Sequence, residues 1–389
     1  MQVTQAFAGM TDPRHPAMIQ YPLEEVIAIA LCALLAGADD WVEVAAFGTA
    51  KQEWFATWLN LPAGIPSHDT FGRIFAWIDP AEFMAGFARW VQALQERLAV
   101  PSAGELAVRA IDGKQCRRSH DRLQDHPALH EVSVWASETR LVLANQAVAT
   151  KSNEITAIPW LLRQLDVAGC LVTIDAMGCQ TAIAQQILDQ QADYVLALKG
   201  NQGTLEAEVI DCFTTAVAQD FAEVVHQQAQ TLEKGHGRIE RRTATVITDV
   251  PTLAWLQAAH QWPGLQAIGR IDAERHLPGK AITHETRYYL LSAPLPAAQF
   301  LQAVRLHWGI ENQVHWVLDM AFQEDQSRVR TGHGAENLTL LRRLALNLLR
   351  QDPTTKTGIK ARRKKAGWDL AYLRQLLLLF DELATSSSS

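Results

Sequence analysis

Two apolar runs in this 389-residue chain end on an aspartate followed by a small residue. In LAVRAIDGKQCRRS, residues 106–119, the alternating Leu106, Val108, Ala110 and Ile111 lead to Asp112, then Gly113, then a basic group of Lys114, Arg117 and Arg118. In LVTIDAMGCQ the run ends at Asp175, followed by Ala176 and, two places on, Gly178. Either run alone reads as a strand that stops in a turn, since Asp-Gly is a common turn dipeptide. Two adjacent strands of one sheet that both end on Asp would bring two carboxylates together, and like charges so close raise each other's pKa unless a cation neutralises them. HWGIENQVHWVLDMAF supplies a third carboxylate. As a helix it would bury Ile310, Val314, Val317 and Ala321 and set Glu311, His315 and Asp319 in the neighbouring row. Hard oxygen donors from Asp112, Asp175 and Glu311 suit Mg²⁺ or Mn²⁺. His307, Glu311, His315 and Asp319 could also form a zinc face, but zincin motifs pair two His at a spacing of four, and here Glu311 stands midway between the two.

The elements that must position these groups follow from periodicity. Three consecutive strands are expected in LAVRAI, LHEVSVWAS (129–137) and RLVLANQAVA (140–149). Next come a helix in NEITAIPWLLRQL (153–165), a strand CLVTI (170–174), a helix around 180–191, a strand YVLAL (194–198) and a helix from about Thr204. This alternation predicts an α/β fold with a mixed sheet flanked by helices. Residues 221–292 depart from it. RTATVIT, LQAIGRIDAE and TRYYLLSA are strand-like with no helix expected between them, which predicts an inserted antiparallel β-subdomain. The first hundred residues predict a small helical domain ending near VPSAGE (100–105), in which Ser67 caps a helix burying Phe71, Ile74, Phe75 and Ile78. VIAIALCALLAGA (26–38) is shorter than the roughly 20 residues of a membrane span and is expected to be a buried helix. The resulting division is 1–104 helical, 105–220 first part of the core, 221–295 inserted β-subdomain, 296–380 helical part carrying Glu311, and 381–389 a disordered tail.

Hydrophobic residues at 48% and charged residues at 20% are the balance of a folded globular protein. The net charge of −7 argues against a protein that only coats nucleic acid. Local charge is another matter: KTGIKARRKK (356–365) and HGRIERR (236–242) could each follow a phosphate backbone or form a solvated face. The five cysteines make no CxxC and no framework, which fits a reducing cytoplasm. No secretory signal is expected.

Six motifs in order, IDGK, KSNEI, TIDAMGCQ, YVLALKGNQ, HGRIERR and HWGIENQVHWVLDMAFQED, together resemble the H-repeat-associated insertion-sequence transposases of the DDE superfamily. The resemblance runs from about Asp12 to about Leu377. It implies an RNase H-like catalytic domain with a β-insertion before the last acidic residue, and it places the catalytic, metal-binding triad on Asp112, Asp175 and Glu311. The implied activity is nicking at element ends and joining of the freed 3′-ends to target DNA, with two Mg²⁺ or Mn²⁺ ions about 4 Å apart. The implied partners are double-stranded DNA and a second copy of the chain, with no nucleotide cofactor and no membrane; the expected location is cytoplasmic, on the nucleoid. DNA contacts are expected from Lys114, Arg117, Arg118, Lys199, Asn201, Arg238, Arg241, Arg242 and His315, with Gly113 letting the backbone turn beside Asp112. The N-terminal helices would read the terminal repeats, SHDTFGRIF being either a recognition helix or a core helix. Related transposases with a β-insertion often carry Tyr, Arg and Lys around the catalytic Glu; here Val304, His307 and Leu318 stand there, so those phosphate contacts do not carry over. The rival readings are a metal-dependent nuclease without strand transfer and a decayed copy that only binds DNA.

Overall fold

The period-two runs form one sheet. The computed structural model describes residues 3–98, 106–120, 127–148, 154–235 and 237–381. Its strands are β1 Val108–Gln115, β2 His130–Ala136, β3 Leu141–Val148, β4 Leu171–Ile174, β5 Asp193–Leu198, β6 His226–Gly235, β7 Arg238–Ile247, β8 Ala267–His276 and β9 Thr283–Leu291. They lie in the order β3-β2-β1-β4-β5-β9-β8-β7-β6. β1, β4 and β5 are parallel neighbours, and every other pairing is antiparallel.

Alternation along these strands sorts side chains onto two faces. Val108, Leu171, Val195, Ile271, Tyr289 and Leu291 face one way and bury the helix Ala297–Gly309 through Phe300, Leu301, Ala303 and Val304. Phe300 reaches the sheet so closely that a Cβ on Gly269 would lie 2.5 Å from its Cζ. Ile111, Val172, Ile174, Leu196 and Leu290 face the other way. There the helices Glu154–Arg163, Thr181–Asp189 and Gly203–Ala218 cover them, each with an apolar stripe of the expected period.

The segment 221–292 corrects two expectations. Its strands do not make a sheet of their own, because β9 pairs with β5 and continues the core sheet. A helix, Val250–His260, does stand between β7 and β8.

Leu23–Leu35 is a helix buried on every side; Val26 through Leu35 are all fully buried. Gly334–Gln351 packs between it, the helix His68–Trp77 and β3. Asn347 seals the β3 edge, donating to the Val142 carbonyl at 2.8 Å and accepting from its N–H at 2.9 Å. The N-terminal helices therefore share a core with the C-terminal ones. Ser67 caps His68–Trp77 as expected, its Oγ accepting from the Thr70 N–H.

The basic run 356–365 is half structural. Arg363 is buried and donates to the carbonyls of Leu34, Ala38 and Ala321 and to Asp39. Arg362 caps the carbonyls of Leu349, Asp352 and Thr355. Only Lys356, Lys360 and Lys364 stay exposed there as free-standing charge. No helix among the described residues is long and apolar enough to cross a membrane. The expected tail from residue 382 on lies outside the described residues, as does the whole 100–105 boundary.

Candidate active site

Ile111 of β1 pairs with Ile174 of β4 in parallel register, so the next residues, Asp112 and Asp175, stand side by side. Both belong to the row of Val108 and Leu171, the face covered by the helix Ala297–Gly309. Asp112 is mostly buried, and its Oδ2 has no hydrogen-bond partner. Asp175 caps the turn Ala176–Gly178, accepting from the Met177 N–H at 3.1 Å. Asn201 braces that turn, its amide donating to the carbonyls of Ala176 (2.5 Å) and Cys179 (3.3 Å).

Gly113 lies inside β1, opposite Val132, and its φ is not positive. Its role is therefore not the tight turn expected of it. The missing side chain makes room for Glu154, whose Oε1 would be 2.3 Å from a Cβ there. Glu154 is buried and hydrogen-bonded to His130 Nε2, so a fixed carboxylate–imidazole pair supports the strand beside Asp112. Lys151, Ser152 and Asn153 of the KSNEI motif lie outside the described residues.

Glu311 enters from a helix that is not uniformly α. Ala297–Gly309 continues through a π-helical segment, Ile310–His315, into Trp316–Phe322. Such segments are rare and frequently mark functional sites. Leu318 is fully buried where Val317 was expected, and Val317 is half-buried. The wider turn brings His315 inward, 94% of its side chain being covered at 6% exposure, while Glu311 stays at the cavity edge. His315 Nδ1 is 3.5 Å from Asp112 Oδ2 and 3.5 Å from Glu311 Oε2. Donor atoms of all three lie within 4.8 Å of one another.

Burial, together with the charges of Glu311 and Asp175, pushes the Asp112 carboxyl well above the usual carboxylate range. The hydrogen bond from His315 holds Glu311 below it. His307, one turn before Glu311, is pulled down to about 4 by burial and bonds Thr173 Oγ1 at 3.0 Å. It is thus a neutral anchor between helix and β4. Asp112, Asp175, His307, Glu311, Lys199 and Arg287 line a cavity of about 420 Å³. Trp308 shares that wall, with the Arg287 guanidinium over its ring at 4.8 Å. An orphaned buried carboxylate oxygen among clustered acids is the donor set a divalent cation needs, so these residues fit one. A second acidic cluster, Cys116, Glu131 and Glu324, does not: Arg343 and Lys114 already neutralise it.

The basic residues divide sharply. Lys114 is buried, its ammonium held by Asp319 (2.8 Å), Glu324 (3.2 Å) and Asp325 (3.2 Å), so it ties β1 to the chain after Glu311 and does not reach outward to DNA as expected. Arg117 and Arg118 are exposed, the former 3.3 Å from Asp325. Lys199 is exposed on the cavity wall, whereas the Asn201 amide is committed to the Asp175 turn. Arg238 and Arg242 line an adjoining cavity of about 430 Å³ with Arg275, Arg287 and Arg305, in ion pairs with Glu233 and Glu240. Arg241 points to the opposite face of the strand and pairs with Glu274 at 3.5 Å. His236 lies outside the described residues. Sequence reading missed Glu154, His130, Arg287 and the anchoring role of His307. KSNEI held a signal for the first, since its acid sits at a helix start with no other evident task.

A family model described as "Transposase DDE domain" matches residues 100–348, and one described as "DDE_Tnp_1-associated" matches residues 4–91. The chain is 37% identical over 374 residues to "Putative transposase YncI" of Escherichia coli O157:H7, covering 96% of this chain and 93% of that one. It is 34% identical over 369 residues to "H repeat-associated putative transposase YhhI" of Escherichia coli K12, covering 94% and 95%. A Xanthobacter autotrophicus protein named for its place in the dhlA 3′ region is 43% identical over 287 residues, 74% of this chain and 92% of that one.

Proposed function

Since the chain belongs to the DDE-domain transposases, with H repeat-associated proteins among its relatives, we propose that it cuts DNA at the ends of its own insertion sequence and joins the freed 3′-hydroxyls to target DNA, both steps depending on divalent metal. One observation carries this reading: the Ile111–Ile174 register sets Asp112 beside Asp175, and Glu311 comes down on the pair from the covering helix. We read β1 to β5 with their helices as an RNase H-like core and the N-terminal helices as the reader of the terminal repeats. Holding two ends at once calls for two copies of the chain.

Asp112, Asp175 and Glu311 would hold the metal, which supplies Lewis acidity to activate a water or 3′-hydroxyl and to stabilise the leaving oxygen. The remaining work belongs to the chain. Gly113, Glu154 and His130 keep β1 rigid under Asp112; Asn201 fixes the Asp175 turn; neutral His307 fixes the Glu311 helix to Thr173 without adding charge. Lys199 and Arg287 on the cavity wall, and Arg238 and Arg242 beyond, take the phosphate charges of the bound strand.

Asp112→Asn keeps the shape and removes the charge a cation needs. Purified protein with a labelled element end and Mg²⁺ should yield joined products with the native chain and none with this variant, end binding being intact in both. Loss of specific binding together with retained nonspecific cutting would overturn the assignment.

A further inference from the structure

We infer that His315 is itself a metal ligand, so that the site presents an imidazole beside its carboxylates and favours Mn²⁺ or Co²⁺ over Mg²⁺. The inference rests on the metal-dependent reading above and adds a ligand to it. Three observations at His315 and beside it carry it. Its side chain is 6% exposed, yet Nδ1 is directed into the gap between Asp112 Oδ2 and Glu311 Oε2, 3.5 Å from each. Two coordinate bonds of about 2.1 Å meeting at 90 to 110° separate their donor atoms by about 3.0 to 3.4 Å, so only a few tenths of an ångström of closure are needed. Finally, Asp112 Oδ2 is buried without a hydrogen bond, which leaves a lone pair turned toward the same gap.

The local backbone explains why the ring is there. In the π-helical segment Ile310–His315 the turn is wider, and Glu311 and His315 are brought onto one point in front of β1. His307, although on the same helix, is not among the donors that converge here, and its Nδ1 is engaged by Thr173. An imidazole suits the transition metals and contributes little to Mg²⁺, which prefers oxygen and water. The ring's other nitrogen, Nε2, is buried without a partner, so the ligand lacks the outer hydrogen bond that stiffens most ligating imidazoles. It should therefore add about tenfold to affinity and not more.

The test is pulsed electron paramagnetic resonance of the full-length chain titrated with Mn²⁺ alone. The native protein should show modulation from one directly bound histidine nitrogen, changing with ¹⁵N-histidine labelling. In His315→Gln the modulation should vanish and Mn²⁺ should bind about tenfold more weakly, with a smaller loss for Mg²⁺ measured by competition. Bound Mn²⁺ that disappears in Asp112→Asn but shows no nitrogen coupling in the native chain would overturn the imidazole and leave the carboxylate site standing. Modulation that survives in His315→Gln and is lost in His307→Gln would overturn it equally. No Mn²⁺ bound at millimolar concentration would overturn both readings. If His315→Gln does not fold, the labelled native spectrum together with that of His307→Gln decides the matter: coupling that persists without His307 supports the inference, and coupling lost with it overturns it.

Discussion

Glu154 occupies the space that a side chain on Gly113 would need, and its Oε1 lies 2.3 Å from where that Cβ would be. The carboxylate cannot swing aside freely, because it is buried and bonded to His130. Gly113→Ala should therefore destabilise the protein by about 1 to 3 kcal/mol through overpacking and displace Asp112. Chemical denaturation and a cleavage assay check both. An Ala variant as stable and as active as the native chain would mean that Glu154 moves at no cost.

Lys114 and Arg117 stand three residues apart and should behave oppositely. Lys114→Met leaves Asp319 and Asp325 without their buried counter-charge and Glu324 with Arg343 alone, so a stability loss of about 3 to 5 kcal/mol is expected, with no change in the salt dependence of DNA binding. Arg117→Ala should barely alter stability, its pair with Asp325 being exposed on the arginine side. Urea midpoints and salt titrations of both variants separate the two outcomes.

One buried acid and one partly buried acid give stability a pH profile with opposed limbs. Burial raises the Glu324 carboxyl, but Arg343 and Lys114 outweigh it and hold it down at about 2, against an ordinary value of 4.5. Its contribution is present above pH 4.5 and is lost as the pH falls toward 2. Glu336 is the reverse. Burial and the nearby Glu131 and Asp79 push it up to about 7, so it favours the fold in acid and loses that advantage as the pH rises from 4.5 to 7. Glu336→Gln should therefore stabilise the protein relative to the native chain at pH 8 and make no difference near pH 4; melting temperatures at the two pH values decide it.

Arg238 and Arg242 face the cavity beside the carboxylates, and Arg241 faces away. If the cavity holds a DNA backbone, Arg238→Ala and Arg242→Ala should each reduce the slope of log K against log[salt] by about 0.9, and Arg241→Ala should leave it unchanged. Equal effects at all three positions would argue against a strand lying in that cavity.

How far the chain could be read without its structure depends on where each signal sits. Asp112 and Asp175 were legible because each directly follows an apolar run, their strands being buried on both faces. β6, HQQAQTLEKG, was illegible because it is an edge strand exposed on nearly all its length and has no apolar period. The helix Val250–His260 escaped for a related reason: among its residues only Leu256 is fully buried, so it carries hardly any stripe. Lys114 looked like a phosphate ligand because its partner Asp325 is 211 residues away in sequence. The π-helical segment leaves no mark in composition, yet it decides which face His315 presents.

Arg363 donates to the carbonyls of Leu34, in the buried helix Leu23–Leu35, and of Ala38 just after it, and to that of Ala321 near the end of the helix that bears Glu311. Residues 34–38 and Arg363 are thus clasped onto the end of the helix that brings Glu311 to Asp112. During synthesis that clasp cannot exist until residue 363 has been made, so a chain that stops short of it is denied the support that holds Glu311 over Asp112. Chains halted before residue 363 should be cut readily by protease in the stretch 310–322 and should be unable to nick DNA. If the chain cuts DNA as proposed, late closure of this kind would confine cutting to copies made past residue 363.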